Sequence, residues 1–262
     1  GYQEIVSYTF VDKKTQLLLN PTCEPKSLLN PITADMDVMR TNLWPGLVKT
    51  LMHNLNRQQT RLRLFESGLK FVPQGTFVQQ ESVLSGLISG SAFPAQWGVA
   101  SRSCDFYDLK GDLEELLKLT HASEEFTFKP GSHQALHPGQ TAEIFRKDKS
   151  VGFIGALHPT VLQALGISQP VFVFEMSLAL IEDALVPKAV EISKFPEIKR
   201  DIAIFVDRAI PVQAISGTIM KSAGEWLQEV NVFDVYQGKG VPDNQKSVAL
   251  SLTLQHPSRT LV

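Results

Sequence analysis

Between residues 198 and 254 the chain alternates polar and apolar side chains, breaks once into helical spacing, and then alternates twice more. That pattern restricts the fold sharply. A strand that opens on the basic pair Lys199 and Arg200 runs into Ile202, Ile204 and Val206, and a helical pattern follows over 211–227. A second strand ends on Phe233-Asp234-Val235-Tyr236, and a Gly/Pro/Asp/Asn loop over 238–244 leads to a third strand over 247–254. Strand-helix-strand-strand is the first three-quarters of a ferredoxin-like βαββαβ unit. Because side chains alternate along a strand, Asp234 and Tyr236 are expected on one face, with Phe233 and Val235 on the other, toward a core.

The preceding residues read differently. A strand-like opening (Ile5, Val6, Tyr8, Phe10) gives way to a turn-rich stretch with Pro21, Pro25 and Pro31, then to a helix over 45–57. In that helix Trp44, Leu47, Val48, Leu51 and Leu55 fall on one face, and Pro45 fits only the first turn, where its missing N–H costs nothing. Strands are expected over 61–72, 82–89, 142–146, 151–157 and 171–176. Helices are expected over 108–119 and over 159–165, the second closed by Gly166. Strands and helices without βαβ regularity predict an α+β fold with an antiparallel sheet. With a linker over 187–196, the expected domains are 1–190 and 191–262.

Composition sets limits rather than a function. At 262 residues, 43% hydrophobic and 20% charged, the chain can bury a large core, and its net charge of −2 confines any nucleic-acid contact to a local, geometric patch. Cys23 and Cys104 lie far apart with no CxxC pair, which reads as two idle thiols in a reducing compartment. With no signal peptide and no apolar run approaching the ~20 residues of a bilayer span, no membrane contact and a cytoplasmic address are expected. The sequence lacks GxxxxGK[ST], HExxH, GxSxG and GxGxxG. Three of its six histidines precede proline (His137, His158, His256), and no second His or Cys lies at i+3 or i+4 from one on a shared helix face. Packing or a backbone hydrogen bond accounts for them better than a metal, so no metal site is expected.

Six runs in order carry a family resemblance: Gly1-Tyr2-Gln3-Glu4-Ile5-Val6; Leu29-Asn30-Pro31-Ile32 to Met39-Arg40-Thr41-Asn42-Leu43; Asn56-Arg57-Gln58; Leu64-Phe65-Glu66-Ser67-Gly68; Asp105-Phe106-Tyr107-Asp108-Leu109-Lys110-Gly111; and His137-Pro138-Gly139-Gln140. With the C-terminal pattern, they resemble the C-terminal part of the β subunit of bacterial phenylalanine–tRNA ligases across essentially the whole chain. The resemblance implies a class II aminoacyl-tRNA synthetase-like antiparallel sheet domain followed by a ferredoxin-like anticodon-binding domain lacking its last helix and strand. Both ends therefore read as cut, with apolar surface left for a second helix to cover.

Catalytic members of that class hold ATP with an arginine in a Phe-Arg-x-Glu motif and with a second arginine closing a glycine-rich motif. Here the first reads Phe71-Val72-Pro73-Gln74, and after His158-Pro159 the second reads Phe172 to Leu180, with Glu175 and Ser177 for glycines and Leu180 for the arginine. A guanidinium offers a fixed, always-charged fork to phosphate, and glycine lets a ligand approach the backbone. Glu175 would instead add negative charge facing a triphosphate. The domain is expected to be non-catalytic and to hold no cofactor, with ATP and Mg²⁺ serving the holoenzyme.

The implied partners are the catalytic α subunit, in an α₂β₂ assembly, and tRNA(Phe). The helix starting at Pro45 is one candidate surface for the α subunit. Asp234 and Tyr236 lead the expected anticodon site, an acceptor carboxylate beside a stacking ring, with Lys199 and Arg200 as phosphate contacts. The alternative is a free-standing RNA-binding or protein-interaction module derived from a synthetase.

Overall fold

A seven-stranded sheet organises the first of the two units into which the chain divides, Gly1–Pro187 and Lys188–Val262. The computed structural model describes residues 1–262 except 188, 190, 191 and 262. In chain order the first unit holds β1 (Gln3–Glu4), β2 (Phe10–Val11), α1 (Lys13–Leu19), β3 (Val38–Met39), α2 (Trp44–Leu55), β4 (Leu62–Gln74) and β5 (Phe77–Ser89). There follow α3 (Phe106–Lys118), β6 (Phe126–Pro130), β7 (Leu136–Arg146), β8 (Lys149–Leu157), α4 (Pro159–Leu165) and β9 (Val171–Ser177). The sheet runs β1-β4-β5-β9-β8-β7-β6; β1 is parallel to β4 and every other pair is antiparallel.

Alternation splits this sheet between two cores. On β9, Phe172, Phe174 and Met176 join Ile88, Ile144 and Ile154 beneath Leu109, Leu113 and Leu117 of α3. Val171 and Val173 point the other way, to Leu64, Leu87 and the face of α2 formed by Trp44, Leu47, Val48 and Leu51. That helix was one candidate surface for a partner, with packing in its own core the equal alternative, and the structure shows the core packing. Leu47, Val48 and Leu51 are fully buried, because the central strands bury their second face against them.

Two local features also depart from expectation. The opening strand breaks after Glu4, leaving Val6 and Tyr8 exposed, and α1 forms within the stretch read as turns. Asp12 starts that seven-residue helix by accepting the Thr15 N–H at 2.8 Å. Elsewhere Gly166 ends α4 at φ 69° as read, while α3 opens two residues before its expected start, on a capping box in which Asp105 and Asp108 accept each other's backbone N–H. All three His-Pro histidines use Nδ1 to accept a backbone N–H two residues on, His137 from Gly139, His158 from Thr160 and His256 from Ser258. Cys23 and Cys104 are free thiols.

The second unit holds β10 (Ile198–Asp207), α5 (Val212–Ala223), β11 (Leu227–Tyr236) and β12 (Gln245–Leu254). Its antiparallel sheet runs β10-β12-β11, with α5 on one face. Among the described residues its buried apolar side chains are Ile215 of α5 with Val248 and Leu250 of β12. Ile202, Ile204, Val206, Val230 and Val232 pack around them and stay half-buried.

Candidate nucleic-acid interface

The face of the second sheet away from α5 is built by register. Val248 and Leu250 define the helix side, so Ser247, Ala249, Ser251 and Thr253 line the other. On β10 the residues paired with these are Phe205, Ala203, Asp201 and Lys199. On β11 they are Tyr236, Asp234, Asn231 and Glu229. Small side chains occupy the central strand while aromatic and charged groups stand on its flanks; Thr253 is buried at one end, and toward Ser247 the face is a shallow, bare platform.

A β-bulge decides what β11 presents. Val232 pairs with Leu250 and Asp234 with Ala249, so Phe233 is an extra residue with no rung of its own. Simple alternation from Val230 and Val232 would turn Asp234 and Tyr236 toward α5; the bulge resets the phase and brings both to the bare face. They share that face as expected. Phe233, expected in the core, is 56% exposed and lies outside the core cluster, because the bulge lifts it out of the alternation.

The four expected site residues do not converge. Tyr236 and Asp234 lie near one end of the platform, whereas Lys199 pairs with Thr253, six residues along β12 from Ser247, or about 20 Å at ~3.4 Å per residue. Lys199 sits near Glu197, at 3.6 Å. Arg200 pairs with Leu252 and so belongs to the helix side. The residue missed was Phe205, 58% exposed and paired with the same Ser247 as Tyr236. With one strand between them, the two aromatics stand about 10 Å apart on one face. An aromatic at the polar phase of Ile202-Ala203-Ile204-Phe205-Val206 was the available signal.

What this end can do chemically follows from the groups. Two exposed rings offer π-faces to unstacked bases, Asp234 offers carboxylate acceptors to a base edge, and Ser247 between them offers a hydroxyl.

The first unit contains a cleft of about 830 Å³ beside α2, lined by Asn42, Trp44, Lys70, Glu81, His133, Glu175 and Leu180 among others. Its polar groups are turned on one another. Lys70 lies between Glu81 (3.4 Å) and Glu175 (3.6 Å), and burial pushes the His133 pKa down, which keeps that ring neutral. Thr41 accepts from Gln16 and Asn20, and the Trp44 indole donates to the Phe174 carbonyl. Glu175, expected to face a triphosphate, instead accepts the Leu43 N–H at 2.7 Å. Leu43 precedes α2 and has no side-chain cap, so the carboxylate from β9 caps that helix across the core. Its burial outweighs Lys70 and the Leu43 N–H and raises its pKa. Nearby, Arg40 and Glu66 form a buried ion pair at 2.7 Å, completed by Ser7 and the Leu69 carbonyl. With Lys70 neutralised, Leu180 in the lining and Val72 on β4, the cleft does not fit a nucleotide triphosphate.

The chain is of the α+β class, its second unit a three-stranded, one-helix sheet of ferredoxin type, and residues 193–262 match the model described as the ferredoxin-fold anticodon binding domain. Residues 1–178 match that of the phenylalanyl tRNA synthetase beta chain CLM domain, and the chain belongs to that family. It is 51% identical over 261 residues to the phenylalanine–tRNA ligase beta subunit of Pseudomonas fluorescens and 48% identical over 263 residues to that of Coxiella burnetii. Each match covers 100% of this chain and 33% of the relative, so the chain spans about a third of the length of these curated relatives. A pyrrolysyl-tRNA synthetase from Desulfitobacterium hafniense aligns at 17% identity over 69% of this chain and 62% of that one, with a TM-score of 0.49, a likeness too slight to define the fold.

Proposed function

We propose that this chain is part of a phenylalanine–tRNA ligase β subunit and that its two units divide the labour. Residues 1–190 form a non-catalytic, class II synthetase-like domain that scaffolds a catalytic α subunit in an α₂β₂ enzyme. Residues 191–262 read the anticodon of tRNA(Phe). ATP and Mg²⁺ serve the holoenzyme through the α subunit, in the cytoplasm. The observation that carries the reading is the bare platform of the second sheet, where a bulge brings Asp234 and Tyr236 to one face beside Phe205 in a chain of this family. The self-compensated cleft of the first unit supports the scaffold role.

In this scheme a splayed anticodon base stacks on Tyr236 while Asp234 accepts a hydrogen bond from a base edge. Stacking on an aromatic is worth roughly 1–3 kcal/mol per base. Tyr236→Ala in the assembled enzyme is therefore expected to weaken tRNA use by about one to two powers of ten. Phenylalanine activation stays unchanged, and discrimination against an altered first anticodon base flattens. Wild-type tRNA kinetics and discrimination in that variant would overturn the assignment. The isolated chain is expected to show no phenylalanine-dependent ATP–pyrophosphate exchange, and exchange by purified chain would overturn the scaffold role.

A further inference from the structure

The geometry points to Gly238 as the residue that sets the pose of the Tyr236 ring, and so as a specificity-determining position for what stacks there. The inference rests on the proposed role of this sheet face.

Tyr236 ends β11 with its side chain 46% exposed. Its rung partner is Ser247, too small to clamp a ring from the side. What the ring meets instead is the turn that follows it. The Tyr236 hydroxyl donates to the Lys239 carbonyl at 3.4 Å, so the side chain leans over residues 238 and 239. A Cβ placed on Gly238 would have Tyr236 atoms as its three nearest neighbours: the hydroxyl oxygen at 2.7 Å, Cζ at 3.0 Å and Cε2 at 3.5 Å. The first distance is closer than real Cβ contacts come, so the ring would have to move.

The glycine is not needed for its own backbone. Gly238 has no left-handed φ, so it is not held by the need that keeps glycine at Gly240, and the atoms a methyl group would meet nearest are those of the tyrosine. Gly240, two residues on, is the reverse case. Its φ of 94° strains any other residue, yet a Cβ there meets no atom within 4 Å. The same turn thus contains one glycine that accommodates a ring and one that accommodates a bend. The missing Cβ of Gly238 is the seat of Tyr236, and filling it tips the ring away from the base it is to stack on.

The test uses the assembled α₂β₂ enzyme and tRNA(Phe) transcripts. Gly238→Ala is expected to raise KM for tRNA about tenfold, to reduce discrimination against an altered first anticodon base, and to leave phenylalanine activation untouched. Adding Tyr236→Phe removes the atom in closest contact and keeps the stacking face, so the double variant should recover most of the loss. Gly240→Ala reports loop strain without ring contact, and Tyr236→Phe should not rescue it. Wild-type discrimination in Gly238→Ala, with Tyr236→Ala impaired, overturns this inference while leaving the anticodon role intact. A Gly238→Ala defect that Tyr236→Phe fails to relieve overturns it too, since the turn and not the ring would then be at fault. If Tyr236→Ala is itself silent, the anticodon role fails, and this inference with it.

Discussion

The sheet of the first unit is covered on both faces, and that of the second on only one. In the first, α3 lies over one face, α2 over the other, and β9 is buried along nearly its whole length. In the second, α5 covers one face, and the other keeps aromatic and charged groups in solvent. Polar groups therefore do different work in the two places. In the first unit the buried polar groups are partnered, as Arg40 is with Glu66 and Glu175 with the Leu43 N–H. In the second a carboxylate such as Asp234 stands free to accept from something else.

The comparison breaks most easily at Glu66. Removing one member of a buried ion pair leaves the other charge uncompensated, at a cost of about 3–5 kcal/mol. Glu66→Ala should lower the unfolding midpoint of the first unit in urea by a corresponding amount, with the transition of the second unit unchanged. Near-wild-type stability would show that Arg40 finds water or another partner.

Glu175 gives a smaller effect. Glu175→Ala leaves the Leu43 N–H without an acceptor and should cost about 1–3 kcal/mol, whereas Glu175→Gln keeps an acceptor and should cost less. Because burial raises its pKa, the folded chain holds this proton more tightly than the unfolded chain does. Its contribution is then fully present below the unfolded carboxyl's pKa and is lost as pH rises through the folded one. Glu175→Gln should flatten that falling limb in a plot of unfolding free energy against pH, and an unchanged slope would show that the carboxyl titrates normally.

Phe233 gives the smallest. As an exposed residue at a bulge it should tolerate alanine within about 0.5 kcal/mol of wild type. A loss of 2 kcal/mol or more, measured by chemical denaturation, on the order of a core truncation, would show that the ring packs after all.

Much of this was legible because local chemistry decided it. The strand-helix-strand-strand order, the helix that Gly166 closes and the split of apolar residues along β9 follow from alternation and end signals. Tyr236 and Asp234 fall on one face by the same rule. What stayed hidden depends on distant partners. Glu175 caps a helix 132 residues earlier in the chain, and no local pattern announces that. The breadth of α2's apolar face gave no clue to whether its own sheet or another subunit would cover it. Lys199 and Arg200 looked like one basic site in sequence, but adjacent strand residues face opposite ways.

The bulge at Phe233 acts as a change of phase in a two-beat message. Residues 229–232 of β11 are read in one frame and residues 234–236 in the other. Deleting that single phenylalanine would remove the bulge and let Val232, Asp234, Val235 and Tyr236 pair in unbroken alternation with Leu250, Ala249, Val248 and Ser247, so both site residues would keep their face; deleting Val235, which has a rung of its own, would put them on opposite faces. The recognition face of this strand is thus written in residue count as much as in residue type. A one-residue change that shifts the register between the two, such as the loss of Val235, would erase it more completely than most substitutions at Asp234 itself.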